Sequence, residues 1–290
     1  MPGWGKKLVA LGLFFALCTP LFAEKLIDTL FLNQGKIEMV DGVQMPYFSF
    51  NSTSVFSKEN TRLLVDVGDS LELLIVNTDS VDHAFQVKGL TASTSISAND
   101  SVWVNVELTE TGAFIYYDPS AGEKYRYMGA AGMIVVRNPN QQTSDFYWNM
   151  KDHQSVYNVS LSEGQNVDWS QYYPDYFTIN GRSNPDINAD PAARVAGKVG
   201  DTLHIYMVNT GQSIHSIHFH GYHAKIMYSS KFPDHVGRNK DTFPIYGMEV
   251  VALELVPHQP GEYPVHDHNL VAVSAGNIYP NGMFLTLLIE

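Results

Sequence analysis

The chain has a single cysteine, Cys18, and it falls in a segment expected to be removed. Residues 1–23 carry Lys6 and Lys7, an apolar run from Leu8 to Leu17 and a small residue at Ala23, the layout of a secretory signal peptide. Export to the periplasm or the medium is expected. The mature protein then has no thiol. It can form no disulfide, hold no metal through sulfur and use no cysteine nucleophile.

The apolar run is interrupted by Thr19-Pro20 and is shorter than the roughly 20 residues of a membrane span, so no membrane anchor is expected. Basic residues are also scarce, with 18 Lys and Arg against 30 Asp and Glu. Without Lys6 and Lys7 the balance is 16 to 30, a net charge of −14 with neutral histidines. Such an acidic surface argues against nucleic acid or anionic lipid as partner. The chain also lacks a Gly-rich phosphate loop, a nucleophile elbow and an HExxH pair.

Helical periodicity is sparse as well. What recurs are short runs of β-branched and aromatic residues bounded by Gly, Asn, Asp and Pro, such as SLELLIVN, SVWVNVEL and MEVVALEL. This pattern reads as an all-β, antiparallel sandwich protein. The runs also repeat. VGDSLELLIVNTDSVDHAFQVKG at 67–89 matches VGDTLHIYMVNTGQSIHSIHFHG at 199–221 with a constant offset of 132. TGAFIYYDP, ending at Pro119, matches PGEYPVHDH, ending at His268. Two homologous domains are expected, at 24–140 and 141–290, with NPNQQT at 138–143 as linker.

The repeat is its own control. His215 has His83 as counterpart, but His218 faces Gln86, His220 Lys88, His266 Tyr117 and His268 Pro119. A scaffold built twice carries the histidine cluster once, so folding alone does not require it. Seven of the 11 histidines lie in HSIHFHGYH and VPHQPGEYPVHDH. Residues two apart on a strand share a face, so His218 with His220, and His266 with His268, can converge on one site. Four neutral imidazoles favour Cu, Zn, Ni or Fe over Ca or Mg. His223 and His258 gain nothing from this pairing.

HSIHFHG, YFTINGRSNPD at 176–186, GRNKDTF at 237–243 and PGEYPVHDH resemble the copper-binding domain of multicopper oxidases, and His268-Asn269-Leu270 is similar to copper nitrite reductases. The resemblance implies two tandem cupredoxin-like Greek-key sandwiches with copper as cofactor. It also implies a class in which homotrimers with metal sites at subunit contacts are common. Carried over by residue, His218, His220, His266 and His268 are cluster-type copper ligands, His215 stands at a type 1 position, Met283 lies near the axial one, and Asp267 occupies the place of the type 1 cysteine. With no thiolate, and no second histidine in 269–281, no type 1 blue copper is expected.

Asp267 is expected to turn inward, with His215 as its partner. The pair reads either as a buried hydrogen bond in place of the metal or as an acid–base pair beside it. Three functions are open: an exported copper protein with a histidine-only site that oxidises or reduces a small molecule or metal ion; a non-catalytic copper storage, delivery or sensing module; or a copper-free scaffold.

Overall fold

The computed structural model describes residues 24–290, so the candidate signal peptide lies outside the described residues. Among the described residues no helix is long and apolar enough to cross a membrane. The chain forms an all-β, two-domain cupredoxin fold. In the first half, the strands Gln44–Asn51, Lys25–Glu38, Ser70–Asn77 and Ser101–Glu107 lie side by side in that order in one sheet. The second sheet runs Leu63–Asp66, Ala131–Arg137, Gly112–Tyr117, His83–Val87 and Thr94–Ile96.

The second half repeats the plan. One sheet holds Tyr176–Ile179, Ser144–His153, Leu203–Asn209, Glu249–Leu255, Ala224–Ser229 and Asn239–Lys240. The other holds Ala196–Gly197, Phe284–Ile289, Gly261–Asp267, His215–Phe219 and Thr242–Ile245.

The sheets are mixed, where the sequence pattern suggested antiparallel pairing throughout. Lys25–Glu38 runs parallel to Ser70–Asn77, and its counterpart Ser144–His153 runs parallel to Leu203–Asn209. Leu63–Asp66 beside Ala131–Arg137 and Ala196–Gly197 beside Phe284–Ile289 form a second parallel pairing in each half. The physical reason is the crossover. A strand that joins its neighbour only after the chain has passed through intervening elements can meet it in either direction, and alternation of side chains looks alike in both.

Burial separates the two sheets of the second domain. Leu203–Asn209 is buried at every residue, because one face meets the domain core and the other meets the first domain. Ala113, Ile115, Met133 and Val135 pack there against Tyr147, Tyr206, Val208, Val250 and Ala252. A strand covered on both faces reads as a continuous apolar run. His215–Phe219, on the opposite sheet, alternates instead: His215, Ile217 and Phe219 are buried while Ser216 and His218 are half-buried. Its outer face is turned away from the first domain.

Phe219 pins this strand. Its ring stacks on Trp148 at 5.8 Å and meets Phe243 edge-on at 5.7 Å. Burial of such a side chain contributes about 1.5–3 kcal/mol, and truncation to Ala would loosen the strand that carries His218 and His220. The strand turns off at Gly221, with φ +76°, as its counterpart turns off at Gly89, with φ +78°. A Cβ at Gly221 would sit 2.6 Å from the Tyr263 ring, so a side chain there is excluded by both conformation and space.

Candidate metal centre

Strand register gathers the outward histidines. His218 pairs directly with His266 across the antiparallel strands. On the far side of His218 stands Thr242, and on the far side of His266 stands Phe284. The outer face therefore carries a row Thr242, His218, His266, Phe284, with His220 and His268 one step away along their own strands. Ring centroids lie 4.8 Å apart for His218 and His220, 5.1 Å for His220 and His266, and 5.7 Å for His218 and His268. The four histidines singled out in the sequence are thus brought together. His258 packs against Tyr222 at 5.2 Å, and His223 is exposed.

Hydrogen bonds set the rings. His218 Nδ1 is 2.9 Å from Thr242 Oγ1, and that hydroxyl donates to Asp241 Oδ1 at 3.1 Å. A hydroxyl that gives its proton to a carboxylate must accept from the ring, so His218 carries its proton on Nδ1 and leaves Nε2 free. His266 Nδ1 donates to the Asp267 carbonyl at 2.9 Å, which frees its Nε2 in the same way. Phe284 lies parallel to the His266 ring at 6.1 Å and forms a wall. Burial, then the nearby His218 and His266, pulls His220 below the ordinary histidine pKa. Its ring is neutral near pH 7.

His220 Nε2 and His266 Nε2 stand 3.0 Å apart. Two imidazoles bound to one ion at about 2.0–2.1 Å, with an angle near 95°, present about that separation. Among the described residues, no three metal-binding side chains already converge on one point. The donor set nevertheless fits a borderline ion such as copper: four imidazoles on one face, two of which, His218 and His266, are oriented through Nδ1. It does not fit type 1 copper, which depends on a thiolate.

The inner face of the same strands is a separate chamber. His215 Nδ1 is 2.7 Å from Asp267 Oδ2, and the other Asp267 oxygen accepts from the backbone of Ser216 and Asn269 at 3.0 and 2.9 Å. His215 Nε2 lies 3.5 Å from Asp152 Oδ1, close enough for charge attraction without a formed hydrogen bond. Asp152 also accepts from Tyr172 Oη and Ser213 Oγ at 2.6 and 2.8 Å. Burial alone would lower the His215 pKa, but Asp152 and Asp267 outweigh it and push it up to about 9. Burial works against the Asp152 charge too, yet His215, Tyr172 and Ser213 hold its carboxyl well below the usual range. His215 is a buried imidazolium between two carboxylates.

Sequence reasoning missed three participants. Thr242 and Asp241 lie inside GRNKDTF, so the motif was visible and its role was not. Asp152 carried no local signal.

The first domain holds the same chamber without the histidine face. His83 Nδ1 is 2.6 Å from Asp118 Oδ2, whose other oxygen accepts from the backbone of Ala84 and Ser120 at 3.2 and 2.8 Å. At the outer position, Tyr117 donates to Gln86 at 3.1 Å, where the second domain has His266 and His218.

Two tandem cupredoxin sandwiches with a histidine-lined outer face define a class of copper-binding oxidoreductases. The multicopper oxidase family model matches residues 137–284, more than half of the chain, and the chain belongs to that family. Many solved structures share the fold. A blue copper oxidase from Nitrosomonas europaea is 21% identical over 92% of this chain and 86% of its own, with a TM-score of 0.79. A copper nitrite reductase from Nitrosomonas europaea is 15% identical over 92% and 94%, with a TM-score of 0.73. A laccase from Botrytis aclada is 13% identical over 92% and 53%, with a TM-score of 0.71. Identities this low show the fold alone. A search of curated proteins finds no match to this sequence.

Proposed function

We propose that this protein is an exported copper protein of the multicopper oxidase family that holds copper on His218, His220, His266 and His268 alone, without type 1 copper. Residues 1–23 act as its export signal, and 24–140 and 141–290 as its two domains. The observation that carries the reading is the cross-strand pairing of His218 with His266 on the outer face, at positions where the first domain has Gln86 and Tyr117.

Copper at this site supplies one-electron chemistry. The chain's own residues bind and orient. Thr242 and Asp241 fix the His218 tautomer, the Asp267 carbonyl fixes that of His266, and Phe284 closes one side. The exposed rings of His220 and His268 leave the site open to a small molecule or metal ion, and the same outward face is available to a second copy in a homotrimer. His215, Asp152 and Asp267 fill the inner chamber with one another's hydrogen bonds and charge, and no thiolate stands there. Any oxidation and reduction would then have to share the one site on these histidines.

Copper loading followed by metal analysis and electron paramagnetic resonance tests the reading. The expected result is stoichiometric copper with a tetragonal signal and no intense blue absorption, and His218→Ala or His268→Ala lowers the copper content. Strong blue colour, or copper content unmoved by both substitutions, would overturn it; the latter would favour a copper-free scaffold. Oxygen consumption with phenols, Cu(I) or Fe(II), and nitrite reduction with an artificial donor, separate an enzyme from a storage, delivery or sensing module. The exposure of His220 and His268 suits transfer of the ion to a partner as well as turnover.

A further inference from the structure

The seam between the domains opens into a cleft of about 560 Å3, within the range of small-molecule sites. Both domains line it: Phe114 and Ile115 from one, Tyr228, Met248 and Val250 from the other. Ile115 and Val250 belong to the buried interdomain core, so the floor is fixed by packing. The Phe114 and Tyr228 rings stand 6.5 Å apart at 56° and remain half-buried, offering apolar surface to an occupant.

Two ammonium groups, one from each domain, stand at the rim. Lys88 donates to the Met248 carbonyl across the seam at 2.6 Å. Lys231 lies over the Tyr246 ring, 3.2 Å from its centroid. Among the described residues neither forms an ion pair with a carboxylate. The acid that lines the cleft, Glu249, is 2% exposed. Its oxygens accept from the Tyr246 amide at 2.8 Å and from Ser229 Oγ at 3.3 Å, and burial raises its pKa. Burial, together with the Arg126 and Lys231 charges, lowers the Lys88 pKa in spite of Glu249. Arg126 itself is turned away onto the Thr210 and Gly211 carbonyls and Glu123. The one acid in the lining is thus buried and held by the chain's own donors.

We propose that this interdomain cleft binds a small organic anion, an acidic group on an aromatic or aliphatic body, with Lys88 and Lys231 holding the acid and Phe114 and Tyr228 the apolar part. The site is independent of copper. It uses Lys88 where the second domain has His220, so the repeated strand end serves different chemistry in each domain.

Fluorescence titration of the full protein with anilinonaphthalene sulfonate, and with phenylnaphthylamine as the same body without the acid, tests the assignment. The sulfonate is expected to bind at one saturable site at least about tenfold more tightly than the amine, with an affinity that falls as salt is added. Lys88→Gln/Lys231→Gln should bring the sulfonate down to the amine's affinity and leave the amine unchanged. Lys231→Gln alone, which disturbs no hydrogen bond, should shift the sulfonate in the same direction. Equal affinities for the two probes, the absence of a saturable site, or undiminished discrimination in variants with unchanged melting temperature would each overturn the proposal.

Discussion

His215 Nδ1 stands 2.7 Å from Asp267 Oδ2 with neither side chain exposed, and His83 Nδ1 stands 2.6 Å from Asp118 Oδ2 in the same setting. In both domains the second carboxylate oxygen takes the amide after the histidine and the amide two residues after the acid. The pair is therefore a folding element of the repeat. The histidines on the outer face are an addition made in one domain only.

Removing one carboxylate leaves each histidine facing a second, Asp79 beside His83 and Asp152 beside His215, so the loss is that of a charge-assisted hydrogen bond, about 1.5–3 kcal/mol. Asp118→Asn and Asp267→Asn should each destabilise the apo protein by that order in urea unfolding, although only the second lies beside the proposed metal site. A loss confined to Asp267→Asn would remove the shared structural role.

The first-domain pair also predicts a pH dependence. Burial pulls the His83 pKa down, but Asp118 and Asp79 outweigh it and hold it above the ordinary value. The protonated form is then favoured by folding. Its stabilisation is complete below about pH 6.5 and lost as pH rises through the folded pKa. Comparing Asp118→Asn with the unmodified chain over that range should show the difference narrowing toward alkaline pH.

Asp267→Cys places a thiol where the resembling oxidases have their type 1 cysteine. A blue site needs two imidazoles with the thiolate, and 269–281 contains no histidine. Copper loading of this variant should produce no intense blue absorption; a strong visible band would show that another side chain supplies the missing ligand.

Thr242→Val keeps the shape and removes the hydroxyl that orients His218. Loss of such an orienting group commonly costs 10–100-fold in metal affinity. Competition with a chromogenic chelator should show a drop of about that size, with the apo melting temperature nearly unchanged. An unaltered affinity would mean that His218 is held by packing alone.

His153 has both ring nitrogens buried without a hydrogen-bond partner, between the Tyr47 and Tyr127 rings. Burial pushes its pKa down to about 4, so the unfolded chain binds this proton first and stability falls as pH drops from about 6.5 toward 4. His153→Phe should flatten that acid limb and at neutral pH be neutral or stabilising, as measured by urea unfolding at about pH 7 and about pH 5.

The gathering of four histidines was legible because strand alternation is local: residues two apart share a face whatever the strand's neighbours. The inward turn of Asp267 followed from the same rule. Parallel pairing within each domain was not legible, since alternation is identical in parallel and antiparallel strands.

The sequence by itself determined the repeat, the restriction of the histidine face to one copy, the acid standing where the resembling oxidases have a cysteine and the presence of a single cysteine, Cys18, far from that position. These are matters of residue identity and local period. Only the tertiary structure decided that Asp152 closes the His215 chamber, that Thr242 and Phe284 flank the histidine row, and that Lys88 and Lys231 line one cleft. Those partners come from strands far apart in the chain. Their proximity depends on which strands the crossovers bring side by side and on how two sandwiches pack, and no local pattern of side chains encodes either.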